Sequence, residues 1–117
     1  MALPLDGVRI LDMTIWQQGT HATALLADLG ADVIKIEGPD NPDPGRGFTT
    51  FIPNAPLNAY FENHNRGKRS VVIDVKRPEG RALLLRLAER GLDALEDPAL
   101  ALGLNTFQGM VIHPAVA

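Results

Sequence analysis

Apolar residues recur along this chain in short runs, and their spacing sets the elements to expect. Val8–Met13 carries Val, Ile, Leu and Met with a charge at Arg9, the pattern of a buried strand. Trp16-Gln17-Gln18-Gly19 reads as a turn, and Thr20 stands where a helix N-cap would. Ala22, Leu25, Leu26 and Leu29 then fall at i, i+3, i+4 and i+7, one face of a helix that Gly30 would end. Val33–Glu37 is a second apolar run. Strand, helix and strand in so short a span predict a βαβ unit with parallel strands.

Five prolines and three glycines between Gly38 and Pro56 argue against regular structure there. A long loop inside a small domain usually serves a function or an interface. Leu57–Asn63 is expected to be a short helix carrying Tyr60 and Phe61. Ser70–Val75 is a third strand. Pro78 suits the first turn of a helix that Leu84, Leu87 and Ala88 continue to about Arg90. The expected fold class is therefore α/β, a partial Rossmann-like domain with a βαβ unit and a mostly parallel sheet. After Gly91 the chain becomes Ala- and Leu-rich, then turn-rich, and ends in Pro114-Ala115-Val116-Ala117.

Composition narrows the function. The 117 residues make room for one domain. The absence of cysteine removes disulfides, thiolate catalysis and Cys-based zinc sites. No apolar run approaches the ~20 residues of a membrane span. The start, Met-Ala-Leu-Pro-Leu-Asp-Gly, lacks the features of a signal peptide, so the expected location is cytoplasmic. The net charge of −3 is unevenly spread. Residues 66–90 hold eight cations against three acids, a local +5, which leaves −8 elsewhere. So concentrated a positive segment suits a small anionic ligand better than nucleic acid, although Arg scattered on a solvated helix face would give the same excess. The 5% aromatic content is too low for a base-stacking surface.

The cations cluster most tightly in Asn65-Arg66-Gly67-Lys68-Arg69-Ser70, just before a run of strand character. Such a loop is suited to hold a polyphosphate beside a sheet. Together with Pro4-Leu5-Asp6-Gly7-Val8-Arg9-Ile10-Leu11-Asp12, the Leu26–Glu37 block and Asp74-Val75-Lys76-Arg77-Pro78-Glu79-Gly80, this stretch resembles the start of a family III CoA-transferase. That group includes formyl-CoA transferases, carnitine CoA-transferases and 2-methylacyl-CoA racemases. The resemblance runs from Leu3 to about Arg90, in the family's order and spacing. It implies a Rossmann-like, CoA-binding region, interlocked dimers, and transfer of CoA between an acyl-CoA thioester and a carboxylic acid.

The resemblance carries over to particular residues. Gln17 and Gln18 match the family's first loop, often Gln-Ala-Gly-Pro, which touches CoA; Gly19 matches its glycine, and Thr20 replaces its proline. Lys68 and Arg69 match cations near the CoA phosphates. Gly38 stands where related enzymes often have an Arg that meets the nucleotide end. The cofactor-binding expectation is thus Gln17, Gln18, Lys68 and Arg69, with CoA or acyl-CoA as the partner. No segment matches the surroundings of the family's catalytic aspartate, whose carboxylate acts as a nucleophile. Asp28, Asp32 and Asp74 belong to other motifs, and no catalytic residue is assigned.

Past Arg90 the family's Glu-Asn-Phe-Arg-Pro-Gly motif is missing. Leu95–Ala117 is instead similar to the C-terminal end of alanine dehydrogenases, but brings no Gly-x-Gly-x-x-Gly fingerprint. The expected organisation is a truncated CoA-transferase region over 1–91 and an unrelated tail over 92–117 that is not an independent domain. His21, His64 and His113 lack metal-ligand spacing, so no metal is expected. The leading expectation is a family III CoA-transferase-like protein, inactive alone. Its alternatives are a non-catalytic CoA-binding fragment, a non-functional fusion product, an acyl-CoA racemase, or an alanine dehydrogenase relative. The chain is expected to form a homodimer or to associate through exposed apolar faces, without nucleic acid or membrane.

Overall fold

The computed structural model describes residues 1–48, 58–92 and 110–114. Strand β1 (Val8–Asp12) leads through a loop into helix α1 (Gln18–Asp28), which returns to β2 (Asp32–Glu37). A single 3-10 turn at Pro44–Gly47 follows, then α2 (Ala59–Asn65), β3 (Lys68–Val72), α3 (Pro78–Leu92) and β4 (Met110–Pro114). The sheet order is β3-β2-β1-β4. Strands β1, β2 and β3 are parallel and β4 runs antiparallel to β1, so the expected α/β class and βαβ unit are present.

The two faces of the sheet differ. On one face Leu11, Ile36 and Ile73 meet Leu84 and Ala88 of α3 in an apolar core. On the other, Ile10 and Val33 pack with Ala31, Leu26 and Ala27. Period-two alternation places Asp12, Lys35 and Lys68 on that second face as well, because each is two residues beyond, or in register with, Ile10 and Val33. The first face thus carries an apolar core with its charges, Arg9, Asp32 and Arg69, left partly exposed at one end, and the other buries charge.

Helix α1 departs from the expected pattern in two ways. It begins at Gln18, so Thr20 lies inside the first turn and is no N-cap; the N-cap is Gln17, which makes no side-chain cap. The buried Thr20 hydroxyl instead donates backward to the carbonyls of Trp16 and Gln17. Its packing face is also not the one the leucines mark. Thr20, Thr23 and Ala24 are buried, while Ala22, Leu25 and Leu29 are exposed. The face was misread because Thr23 turns inward to the buried carboxylate of Asp12. The end of α1 follows expectation. Gly30, at φ 103°, takes the left-handed position. Its N–H reaches Ala27 O at 2.9 Å and that of Ala31 reaches Leu26 O at 3.1 Å, the paired bonds of a Schellman motif.

Strand β3 starts two residues earlier than expected and stops at Val72. Lys68 pairs with Val33 in register, so Lys68 and Arg69 belong to the strand and not to a loop before it. A turn ends the strand, with Lys76 N–H bonded to Asp74 Oδ1 at 3.0 Å. Within the segment expected to lack regular structure, Pro44–Gly47 forms the 3-10 turn because Asp43 caps it, accepting Gly45 N–H at 2.9 Å. Residues 49–56 of that segment, and Leu57 of the expected short helix, lie outside the described residues. So do 93–109 and 115–117, most of the expected tail; its Met110–Pro114 hydrogen-bonds to β1 as an edge strand.

Candidate functional site

Where the carboxyl ends of β1, β2 and β3 meet the turns that follow them, the chain forms an open cleft. Met13, Ile15, Ile36, Ile73 and Val75 give it an apolar lining, and Glu37, Asp43, Asp74 and Lys76 bring charge. Its cavity volume is about 130 Å³, below the ~300–1,000 Å³ of drug-sized ligand sites, so it would take only part of a ligand. Ligands of open α/β sheets commonly bind at this end of the strands.

A layer of buried charge on the α1 face holds the cleft's edge. Asp12 is fully buried. Its Oδ1 accepts Thr14 N–H at 2.9 Å and its Oδ2 accepts the Thr23 hydroxyl at 2.7 Å and Lys68 Nζ at 2.9 Å. Burial alone would push this carboxyl up. The hydrogen bonds from Thr14, Lys68 and Thr23, with the Lys68 charge, outweigh it and hold Asp12 below the usual carboxylate range. Lys68 spends its other two donors on Thr20 O at 2.8 Å and Asn65 Oδ1 at 2.9 Å. Burial draws its ammonium below the usual lysine range, against the pull of Asp12.

Next to this pair lies a second. Lys35 Nζ is 2.9 Å from Asp43 Oδ2, with both side chains buried, and donates to Thr14 O at 2.8 Å. The approach is off the hydrogen-bond axis, so Asp43 Oδ2 has a charge partner but no hydrogen bond. Asp43 Oδ1 accepts Trp16 N–H at 3.1 Å, and Asp43 N–H donates to Glu37 Oε1 at 2.8 Å. Glu37 in turn binds Arg46 at 2.6 Å, and that guanidinium lies 4.0 Å over the Phe61 ring. Burial pushes the Glu37 carboxyl up, but Arg46, the Asp43 amide and Lys35 hold it below its ordinary value.

The β1–α1 loop that these pairs grip contains Trp16 at φ 65°, the one positive-φ residue other than glycine among the described residues. A bulky residue in this region is strained, and such strain collects at functional sites. Gln17 and Gln18 follow it and are exposed at the start of α1. The expected site residues are therefore placed in three different settings. Gln17 and Gln18 lie on the open loop. Lys68 lies beneath it, its ammonium engaged with Asp12, Thr20 and Asn65. Arg69 points to the opposite face of the sheet, where it is 63% exposed and bound to Asp32 at 2.6 Å. Lys68 and Arg69 do not converge on one point.

The carboxylates left unassigned from sequence are all in surface pairs: Asp28 with Arg66, Asp32 with Arg9 and Arg69, and Asp74 with Arg77. Sequence reasoning missed Asp12, Lys35, Asp43 and Trp16. Asp12 and Lys35 did carry a signal, charge at inward positions of otherwise apolar strands. Asp43 and the strain at Trp16 left none.

Residues 5–94 match the model of CoA-transferase family III. The chain is 48% identical over 87 residues to the formyl-CoA:oxalate CoA-transferase of Afipia carboxidovorans, covering 74% of this chain and 20% of that relative. It is 44% identical over 89 residues to the succinate–glutarate CoA-transferase of Agrobacterium fabrum, covering 72% and 22%. The crystal structure of Rv3272 from Mycobacterium tuberculosis superposes with a TM-score of 0.68 at 44% identity, over 75% of this chain and 24% of that one. The chain thus spans between a fifth and a quarter of the length of the relatives it matches.

Proposed function

This chain belongs to CoA-transferase family III, and from that premise we propose that it supplies the CoA-binding part of a site for moving CoA between an acyl-CoA thioester and a carboxylic acid. The observation that supports this reading best is the cleft at the strand ends, lined by Ile15 one residue before the strained Trp16. Its apolar walls suit a nucleobase, and Lys76 offers a charge for phosphate. Gln17 and Gln18 stand at the first turn of α1, where free N–H groups and the helix dipole favour anions. Lys68 serves by fixing that turn through Thr20 and Asp12, and Arg69, the more exposed of the two expected cations, would reach a phosphate only by leaving Asp32.

The carboxylates lining the cleft, Glu37, Asp43 and Asp74, are paired with Arg46, Lys35 and Arg77. We assign the acyl-accepting nucleophile to none of them, and the chain alone should bind CoA without turnover. In the same reading residues 1–91 are the family region and 92–117 a tail of other origin. The exposed Leu25 and Leu29 on α1 are where a second chain would dock. Light scattering during gel filtration tests this: Leu25→Gln/Leu29→Gln should lower the measured mass of any assembly.

Calorimetric titration with CoA tests the main reading. Saturable binding should appear in the wild type and weaken in Gln17→Ala/Gln18→Ala and in Lys76→Ala. A folded chain that gives no saturable heat refutes it.

A further inference from the structure

The strained loop between β1 and α1 is held by more than its local bonds from Thr20 and to Asp12. Two of its backbone groups are gripped by one buried ion pair: Lys35 Nζ takes the Thr14 carbonyl at 2.8 Å, and Asp43 Oδ1 takes the Trp16 amide at 3.1 Å. The two side chains are 2% and 0% exposed, and they face each other at 2.9 Å. Asp43 comes from the segment after β2, 27 residues further along the chain than Trp16, so the grip is tertiary and not part of the local turn. Its backbone is fixed in turn by Glu37 and its 3-10 turn by Gly45. A buried charge pair is a costly way to gain stability, since hydrophobic substitutes often do as well. It does supply direction, because a carboxylate and an ammonium each bind one backbone polarity.

We propose that Asp43, oriented by Lys35, is a positioning residue. It keeps Trp16 in its left-handed conformation and thereby presents Gln17 and Gln18 to the ligand. The inference rests on the assignment of those glutamines to CoA binding.

The chain has a single tryptophan, so Trp16 reports the loop without labelling. In the full chain, the time-resolved fluorescence anisotropy of Trp16 should decay mainly with overall tumbling. Asp43→Ala should add a fast local component while circular dichroism and cooperative unfolding are retained. CoA affinity should fall about tenfold, the scale of one lost anchoring hydrogen bond. A folded Asp43→Ala with unchanged Trp16 decay overturns the proposal, as does a loosened Trp16 with unchanged CoA affinity. If Asp43→Ala does not fold, Lys35→Met/Asp43→Leu removes both charges together, leaves neither unpaired, and takes the acceptor away from Trp16 N–H. That variant should also loosen Trp16, and wild-type decay in it overturns the proposal. If the folded wild type fails to bind CoA, the CoA reading and the presenting role fall together. The Trp16 decay separates that result from failure of the grip itself.

Discussion

Replacing Lys68 with methionine isolates the energetics of the charged layer. The substitution keeps most of the side-chain volume and removes the ammonium that sits 2.9 Å from Asp12 Oδ2, where the two side chains are 2% and 0% exposed. Asp12 would keep Thr14 and Thr23 but lose its countercharge, while Thr20 O and Asn65 Oδ1 would each lose a donor. Breaking a buried pair from one side costs about 3–5 kcal/mol. Against a total stability of roughly 5–15 kcal/mol, that brings the chain close to unfolding at room temperature. Urea titration followed by circular dichroism measures the loss. Asp12→Asn/Lys68→Met should recover much of it, because it leaves no buried charge alone, and the cycle should give a coupling of about 2–3 kcal/mol. Arg69→Met is the control. Its partner Asp32 is half-exposed, and exposed pairs contribute about 0–1 kcal/mol. If Lys68→Met costs no more than Arg69→Met, the buried network does not hold the fold.

Further outcomes follow from the same structure. Asp12 and Glu37 are held below their ordinary values of 3.8 and 4.5, so the stability they give is complete above those values and is lost as pH falls through the lower folded ones. Thermal melts should therefore be flat from neutral pH down to about 5 and drop steeply below it; melts that keep their midpoint below the ordinary carboxylate range refute this. Gly80→Ala should destabilise strongly, since a Cβ there would lie 1.9 Å from the Asp74 carbonyl oxygen; an unchanged unfolding midpoint refutes that contact. Leu84→Ala, in the apolar core under α3, should cost about 2–5 kcal/mol in urea titration, and a cost under about 1 kcal/mol would mean that α3 is not packed as described.

The sequence was readable where the physics is local. The Gly30 cap, the Pro78 start of α3 and its Leu84, Leu87 and Ala88 stripe depend on neighbours a few residues away, and each is found in place. The βαβ order followed from the spacing of two apolar runs. The packing face of α1 could not be read, because hydrophobic periodicity assumes an apolar neighbour and this helix faces a carboxylate. Thr23 is buried for its hydroxyl, while Leu25 and Leu29 are left outside. At the site, the motifs singled out Lys68 and Arg69 together, yet strand alternation sends them to opposite faces. That depends on where β3 begins, a two-residue matter set by its register with β2. Asp43 is still less visible, since its partners Trp16 and Lys35 are distant in sequence and meet only in the folded chain.

The charged layer beneath α1 also has a calorimetric consequence. Unfolding exposes apolar area that raises the heat capacity, by about 0.45 cal/K/mol per Å², and polar area that lowers it, by about 0.26. Asp12, Lys35, Glu37, Asp43 and Lys68 all pass into water on unfolding, together with three buried threonines, Thr14, Thr20 and Thr23. A sheet with apolar cores on both faces would give up no such offset. The heat-capacity step of this chain should therefore be small for its size, and its stability should change little with temperature on either side of the maximum.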